Sequence, residues 1–190
     1  GGGQGGSAHS DGKSALLYPT SAANTSVEMF EARVPALVLY KKLIVDSGGA
    51  GKHRGGLGQA IAARKLVNDG QPCQVGLYPN GIHSGVEGLF GGQPGRSSKG
   101  VVHLDGANNV DVGVGRLSSL NTVKDVAELR IAGGSGFGDP FERDYESIAN
   151  DLAQGYISEA GAAEDYGCVI RKDGSIDIEA SEKMRSSRKA

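Results

Sequence analysis

Glycine is the feature of this chain that most restricts its fold. There are 32 glycines among 190 residues, and they occur in short clusters between apolar runs. They do not repeat at every third position along the chain, which excludes a collagen-like triple helix. Glycine adopts positive φ at little cost, so clusters of this kind are typical of tight turns. The sequence therefore predicts many short strands connected by glycine-rich turns.

The charge balance limits the partners of the chain. Twenty basic and 22 acidic residues give a formal net charge of −2, so no general positive field would attract nucleic acid or an anionic membrane surface. No apolar run approaches the roughly 20 residues needed to cross a bilayer. Residues 1–6 lack the charged and apolar regions of a signal peptide. We expect a cytoplasmic protein that binds neither nucleic acid nor membrane.

The length and the two cysteines give further expectations. A chain of 190 residues suits one domain, or one domain and a small appendage. The polar, glycine-dense start at residues 1–13 predicts that the chain is a piece of a longer polypeptide. A disulfide between Cys73 and Cys168 is possible, but their spacing is not metal-like, and free buried thiols are favoured.

Apolar runs bounded by turn residues predict strands in the first 140 positions. Residues 36–45 form a run broken only by two lysines, and residues 59–67 favour a strand that ends in a hairpin turn at Asn68-Asp69-Gly70. Further short runs lie at 75–78, 86–90 and 101–104.

Two later stretches alternate with period two. Each places apolar side chains on one face, in the sets Val110, Val112 and Val114, and Ala127, Leu129 and Ile131. Glu128 and Arg130 lie opposite the second set, which predicts half-buried strands with one wet side. Six or seven strands of this kind favour a sandwich or barrel-like assembly.

The sequence after Pro140 changes to a helical pattern. Asp144 is placed to cap a helix that ends at Gly155, and Ser158 a shorter one that ends at Gly167. A small hairpin around Lys172-Asp173-Gly174 and a last helix from Asp177 follow. The predicted fold class is α+β: β-rich sheets over residues 1–140, followed by a helical tail of the same domain over 141–190.

Two phosphate-binding patterns are considered and set aside. Residues 1–6 fit G-x-G-x-x-G, but no strand precedes them and no helix follows. Residues 46–52, DSGGAGK, miss the P-loop pattern because Asp46 replaces the first glycine and His53 stands where Ser or Thr would hold magnesium. The alternative is a tight glycine turn whose backbone passes close to another segment. Arg54 in this turn favours a forked pairing with a carboxylate, and Asp46 is the nearby candidate.

Two sets of polar residues are candidate sites. His9 and Asp11 lie together in a glycine-rich loop, where functional residues are over-represented, although Asp11 could simply stabilise a turn. Glu28 and Glu31 would share one side of a helix and could act as acid and base or bind a cation. Solvated glutamates at a helix start are the commoner case. The four histidines lack metal-ligand spacing.

Several fragments, taken in order, resemble the hydantoinase B/oxoprolinase family. They are Asn24-x3-Glu28-x2-Glu31-x3-Pro35, DSGGAGKHRGGLG at 46–58, GGSGFGDPFERD at 133–144 and DLAQGYISEAGAAEDYG at 151–167. The initial GGGQGGSAHSDG is similar to a glycine-rich loop of the family. Where His53 stands, the family often has an aromatic residue. The resemblance spans nearly the whole chain and identifies it as the C-terminal part of a B-type subunit.

The resemblance implies the activity of a larger enzyme. Members belong to ATP-dependent, cytoplasmic, hetero-oligomeric enzymes that open cyclic amides such as hydantoins, 5-oxoproline and lactams, or carboxylate ketones. It implies a partner subunit of the hydantoinase A type that binds ATP, and a divalent metal held in the N-terminal part of the B-type chain. No residue of this chain is expected to ligate that metal, and this segment alone is expected to be inactive.

The hypothesis drawn from these features assigns chemistry to five residues. His9 and Asp11 would position a small-molecule substrate, Arg54 would clamp a carboxylate or phosphorylated group, and Glu28 and Glu31 complete the set. One alternative is a non-catalytic module that shapes a hetero-oligomeric complex. A second is a free-standing ligand-binding β-sandwich, which the low aromatic content, 5 %, disfavours.

Overall fold

The structure, a computed structural model, describes residues 1–17, 25–78, 80–105, 108–111 and 117–189. Its strands, in chain order, are β1 Ala36–Leu43, β2 Gln59–Lys65, β3 Cys73–Gly76, β4 Lys99–Leu104, β5 Asn108–Asp111, β6 Leu117–Leu120, β7 Val126–Arg130, β8 Val169–Ile170 and β9 Ile176–Asp177. Its helices are α1 Val27–Glu31, α2 Tyr145–Ala153, α3 Glu159–Tyr166 and α4 Ile178–Lys189. The expected α+β class is confirmed.

The main sheet is antiparallel and has the strand order β1-β2-β7-β4-β5. β3 pairs with β6 in a second, two-stranded sheet, and β8 pairs with β9 in a third. Val102, Leu120 and Ala127 form a buried cluster between the main sheet and the β3-β6 pair. The first 140 residues therefore contain short strands, as predicted, and these are β1 to β7. Their order within the sheets could not be predicted from the sequence.

Two local predictions in the β region are wrong. β2 does not form a hairpin with β3, because β2 is already paired on both edges, with β1 and with β7. The Asp69 carboxylate instead accepts hydrogen bonds from the buried Lys65 ammonium and the Gln71 amide. Residues 86–90 do not form the predicted strand. In the described part of the chain, their one sheet-like contact is an isolated β-bridge between Leu89 and Phe137.

β7 has the predicted alternation, and its predicted wet side is confirmed for Arg130 but not for Glu128. Ala127 lies in the buried cluster, as expected. Glu128 on the opposite face is also buried, at 4 % exposure. Its carboxylate is covered by Tyr40 and Arg130, which both hydrogen-bond to it. For the other alternating stretch, Val110 lies in β5, whereas Val112 and Val114 lie outside the described residues.

The glycine clusters do not serve mainly as positive-φ turns, which corrects the first expectation. Among the described glycines, seven have positive φ. Most of the others lie in extended segments that hydrogen-bond to one another with a spacing of three. The amides of residues 131, 134 and 137 donate to the carbonyls of 59, 56 and 53, and those of 93 and 96 to 50 and 47. Three residues per turn is the period of the polyproline II helix.

Glycine is required where these segments pass each other. A Cβ on Gly3 would lie less than 3.0 Å from the carbonyl oxygen of Gly56, and one on Gly55 equally close to that of Gly134. Real Cβ atoms essentially never come so near, so a larger residue would push the segments apart. The bundle of glycine segments therefore exists because its backbones can touch.

The helical end follows the sequence closely. Asp144 and Ser158 cap α2 and α3, and Gly167 ends α3 in the left-handed conformation. The β8-β9 hairpin and α4 lie where predicted. A second core cluster, which includes Ile148, Ile157 and Tyr166, joins these helices to Ala50 of the glycine bundle.

Three remaining expectations concern the whole chain. Both cysteines are free, as favoured, with Cys168 buried and Cys73 partly so. No helix among the described residues is long and apolar enough to span a membrane. The division at residue 140 stays a prediction.

Candidate functional site

The glycine turn at residues 46–58 forms one side of the candidate site. It leaves β1, runs through the glycine bundle and enters β2, so no helix follows it as a P-loop would require. His53 exchanges backbone hydrogen bonds with Phe137, and a Cβ on Gly51 would collide with the Phe137 backbone. The close-passing glycine turn considered as the alternative is therefore confirmed.

Arg54 projects from this turn into a buried pairing. Its Nε lies 3.1 Å from Asp151 Oδ2, its Nη2 3.3 Å from Asp151 Oδ1, and its Nη1 donates to the Gly55 carbonyl at 2.6 Å. A forked pairing with a carboxylate is confirmed, but Asp46 as its partner is wrong. Asp46 instead accepts the Ser158 amide at 2.7 Å, because it faces the start of α3.

A second arginine completes the cluster. Arg143 donates from Nη1 and Nη2 to the two oxygens of Asp11, each at 2.7 Å, and from Nη2 to Asp151 Oδ2 at 2.8 Å. Asp11 Oδ1 also accepts the backbone amide of Arg54 at 2.7 Å. We call Asp11, Arg54, Arg143 and Asp151 the charge quartet. It ties the first glycine loop, the 46–58 turn and α2 together.

The electrostatics of the charge quartet favour the ionised forms of Asp11 and Arg143. Arg54, Arg143 and Asp151 are at most 4 % exposed, and two guanidinium groups balance two carboxylates. Burial alone would raise the pKa of Asp11, but the hydrogen bonds and charge of Arg143 and the Arg54 amide outweigh it and lower that pKa. Burial would lower the pKa of Arg143, and the two carboxylates raise it instead. Such a cluster holds segments together through charge-assisted hydrogen bonds.

His9 lies on an exposed turn beside the charge quartet. Ser7 Oγ accepts the amides of His9 and Ser10, and the Ser7 amide donates to the Ser10 carbonyl. The turn is therefore ordered by Ser7, while Asp11, two residues beyond His9, is held by Arg143. The result is an imidazole presented to solvent from a fixed backbone.

Glu28 and Glu31 lie in another part of the molecule. The predicted helix is present as α1, and Ser26 caps it. Glu28 is exposed in its first turn, and Glu31 Oε1 accepts the Val38 amide of β1 at 2.7 Å. No contact among the described residues joins either glutamate to the charge quartet. Asn24, the start of the same motif, lies outside the described residues.

The structure thus brings Asp11 and Arg54 together, places His9 on an exposed turn two residues before Asp11 and separates the two glutamates. Whether any of the five acts in catalysis stays a prediction. Within the described ranges, no group of three or more His, Cys, Asp or Glu side chains could hold a metal ion.

Sequence reasoning missed Arg143 and Asp151 as members of the site. A signal for Asp151 was available, since it lies three residues after Ile148 on the apolar face of α2. A carboxylate on a buried helix face requires a charged partner. The identity of that partner, Arg54 at a separation of 97 residues, could not be read from local sequence.

The fold and the glycine motifs define a class of protein. The sequence profile of a family described as hydantoinase B/oxoprolinase matches residues 1–140. The chain therefore belongs to the hydantoinase B/oxoprolinase family.

Curated relatives include three informative proteins. An uncharacterized protein of Methanocaldococcus jannaschii is 33 % identical over 85 % of this chain and 28 % of its own length. The acetone carboxylase alpha subunit of Xanthobacter autotrophicus is 28 % identical over 93 % of this chain and 27 % of its own. The caprolactamase subunit beta of Pseudomonas jessenii is 29 % identical over 85 % and 28 %. The chain thus spans less than a third of the length of these relatives.

Solved structures share the fold. Nucleotide-free acetone carboxylase matches with a TM-score of 0.80 and 22 % identity, over 99 % of this chain and 29 % of that one. The ATP-dependent caprolactamase of Pseudomonas jessenii matches with a TM-score of 0.76 and 24 % identity, over 97 % and 32 %. Two of the curated relatives, those of acetone carboxylase and of caprolactamase, are subunits by name, and both solved structures are of ATP-dependent enzymes.

Proposed function

We propose that this chain is the C-terminal part of a B-type subunit in an ATP-dependent enzyme that opens cyclic amides or carboxylates ketones. Family membership over residues 1–140 is the observation that carries the proposal. Hydantoins, 5-oxoproline and lactams are the candidate cyclic amides. Cytoplasmic location belongs to the same proposal.

The proposal divides the chemistry between chains. A hydantoinase A-like partner subunit would bind ATP and phosphorylate an oxygen of the substrate or of bicarbonate, which makes a poor electrophile reactive. The divalent metal would be held by the N-terminal part of the B-type subunit. This segment would then shape the substrate cavity and perform no phosphoryl transfer itself.

Within this chain, the proposed chemical contribution comes from the loop that carries His9. The charge quartet uses Arg54 Nε, Nη1 and Nη2 for Asp151 and Gly55. Clamping of a carboxylate or phosphorylated group by Arg54 would therefore require exchange of these partners. Asp11 already holds the first glycine loop through Arg143, and this role requires no exchange of partners. We therefore assign Asp11 to fixing the loop and the exposed His9 to substrate positioning. Glu28 and Glu31 are weaker candidates than His9. The helix that carries them, α1, packs against β1 and lies away from the loop of His9.

The test uses the assembled complex of the complete B-type subunit with its hydantoinase A-like partner. ATP-dependent turnover is measured on hydantoin, 5-oxoproline, caprolactam, and acetone or acetophenone with bicarbonate. We expect turnover of one substrate class and an at least tenfold loss in His9→Ala. His83→Ala is the matched control, since His83 is also an exposed loop histidine. Turnover within twofold of the parent in His9→Ala would remove the assignment of His9, and no turnover of any substrate would remove the proposed activity.

The alternative, an assembly module without chemistry, is favoured by one surface feature. Val86, Leu89 and Phe90 are 72 %, 60 % and 79 % exposed, and Phe90 packs on Phe137 with ring centroids 5.1 Å apart. Apolar side chains exposed together are typical of a protein interface. Leu89→Ser discriminates the two functions: the module predicts reduced co-purification with partner subunits while turnover per assembled complex stays unchanged.

A further inference from the structure

A cleft at one end of the main sheet concentrates positive charge. It has a volume of about 440 Å³ and is bordered by Arg96, Lys99 and Arg130, with Asp111 as its acidic residue. Ile44, Ile82 and Ile131 supply an apolar wall. The chain as a whole carries a net charge of −2, so this local excess of cations is not a reflection of composition.

Two of the cations are forced together by strand pairing. Lys99 of β4 and Arg130 of β7 are direct cross-strand partners, and partners in register point to the same face. Like charges directly opposite one another destabilise a sheet. Lys99 gains little relief from Asp111, because their 4.0 Å pairing is between side chains that are more than half exposed.

Arg130 is held in a fixed orientation. Its Nε and Nη2 donate to Glu128 Oε1 and Oε2 at 2.9 and 3.0 Å, and Tyr40 donates to Oε1 at 2.6 Å. Glu128 is buried, whereas the Arg130 side chain is 51 % exposed. Within the described part of the chain, Nη1 of Arg130 donates no hydrogen bond. A guanidinium oriented by a buried carboxylate is prepared for an anion at its remaining donor.

Arg96 adds a cation with an unused donor group. Its backbone amide donates to the Ser47 carbonyl, which fixes the main chain. Its guanidinium makes neither a hydrogen bond nor an ion pair with the residues that the structure describes. Arg96 also borders a neighbouring cleft that contains Asp165. Burial and the charges of Asp46 and Glu164 raise the pKa of Asp165, and the Arg96 charge offsets only part of that rise.

We propose that this cleft binds a small molecule that joins an oxyanion, a carboxylate or a phosphate, to a compact apolar group. The oxyanion would lie between Arg96, Lys99 and Arg130, and the apolar group against the isoleucine wall. The volume and the combination of apolar wall and few charged groups are those of a small-molecule site. This inference does not depend on the proposed enzymatic function.

The test is a titration of the purified protein, followed by NMR of its backbone amides. The probes are benzoate, phenyl phosphate and neutral benzamide, so that the first two identify the preferred oxyanion and the third removes the charge. We expect shift changes at residues 96–99 and 130–131 with both anions, and at least tenfold weaker binding of benzamide.

Charge-removing variants complete the test. Lys99→Gln and Arg96→Gln should each weaken anion binding about three- to tenfold, because each removes one positive charge from the cleft. Both variants should fold, since neither side chain makes a hydrogen bond within the described part of the chain. Lys172→Gln is the control, since it removes the same charge from the exposed β8-β9 hairpin. The binding of anions by Arg130→Gln is interpreted only after the variant is shown to be folded, because the substitution also removes two hydrogen bonds to the buried Glu128. The proposal is overturned if benzamide binds as well as benzoate, if the shifts lie elsewhere, or if Lys172→Gln weakens binding as much as Lys99→Gln.

Discussion

Arg143 and Asp11 lie 132 positions apart in the chain, yet each terminal nitrogen of Arg143 donates a 2.7 Å hydrogen bond to a different oxygen of Asp11. The arginine belongs to the segment that leads into α2, and the aspartate to the first glycine loop. This bidentate pair, with Asp151 and Arg54 behind it, connects the glycine bundle to the helical end of the molecule. Its consequences can be measured separately from any activity.

Removal of Arg143 should destabilise the protein strongly. Arg143→Ala leaves the buried Asp151 with one of its two cationic partners and frees Asp11, and the loss of one member of a buried ion pair costs about 3–5 kcal/mol. The free energy of unfolding from urea denaturation measures the effect. Lys52→Ala is the control, because the 3.6 Å pair of Lys52 with Glu142 is half exposed, and we expect a change within about 0.5 kcal/mol. Equal effects of the two substitutions would contradict a stabilising role for the charge quartet.

The Asp11 carboxylate should make stability depend on pH in the acid range. Its pKa is lowered in the folded protein, so the folded state favours the ionised form. The resulting stability is fully present above the ordinary value of 3.8 and is lost as the pH falls through the lower folded pKa. Unfolding free energies of the parent and Asp11→Asn, measured from pH 7 down to about pH 2, should therefore approach each other as the pH falls below 3.8. A constant difference over this range would show that Asp11 does not titrate as described.

The Tyr40 phenol should titrate unusually late. Burial and the hydrogen bond to Glu128 raise its pKa from 10.0 to about 12. The stability linked to this proton is present below pH 10 and is lost as the pH rises through about 12. The pKa is measured by NMR of ring-labelled tyrosine, and the resonance of Tyr40 is the one that disappears in Tyr40→Phe. Glu128→Gln should lower the pKa of Tyr40, because the substitution removes the carboxylate charge. An unchanged pKa in Glu128→Gln would contradict the pairing.

Glycines at crossings should be far less replaceable than their neighbours. Gly3→Ala places a methyl group against the Gly56 carbonyl, and we expect a loss of about 3 kcal/mol or more. Gly5→Ala in the same loop is the control, because its Cβ would meet first the end of the Ser135 side chain at 3.2 Å. That loss should stay below about 1 kcal/mol, because surface substitutions usually change stability by only about 0.5 kcal/mol. Thermal or urea unfolding distinguishes the two, and similar losses would refute close backbone contact as the reason for glycine at position 3.

Local sequence predicted the parts of the molecule whose structure depends on neighbours in the chain. Asp144 and Ser158 cap helices because their side chains accept amides three residues later, at Ser147 and Gly161. The alternation in β7 predicted which side chains share a face. The glycine motifs at 46–58 and 133–144 predicted the family, which the profile match over residues 1–140 confirms.

The tertiary structure alone decided which residues act on each other. Asp151 pairs with Arg54 at a separation of 97 residues, and Tyr40 covers Glu128 at a separation of 88. The expected partner of Arg54 was therefore wrong, and so was the expected exposure of Glu128 on the wet face of β7. The glycines looked like turn residues, although most of them mark crossings between distant segments. The physical reason is the same in each case: caps and alternation are fixed by bonds along the chain, whereas burial of a charge and contact between backbones depend on which remote segment arrives beside them.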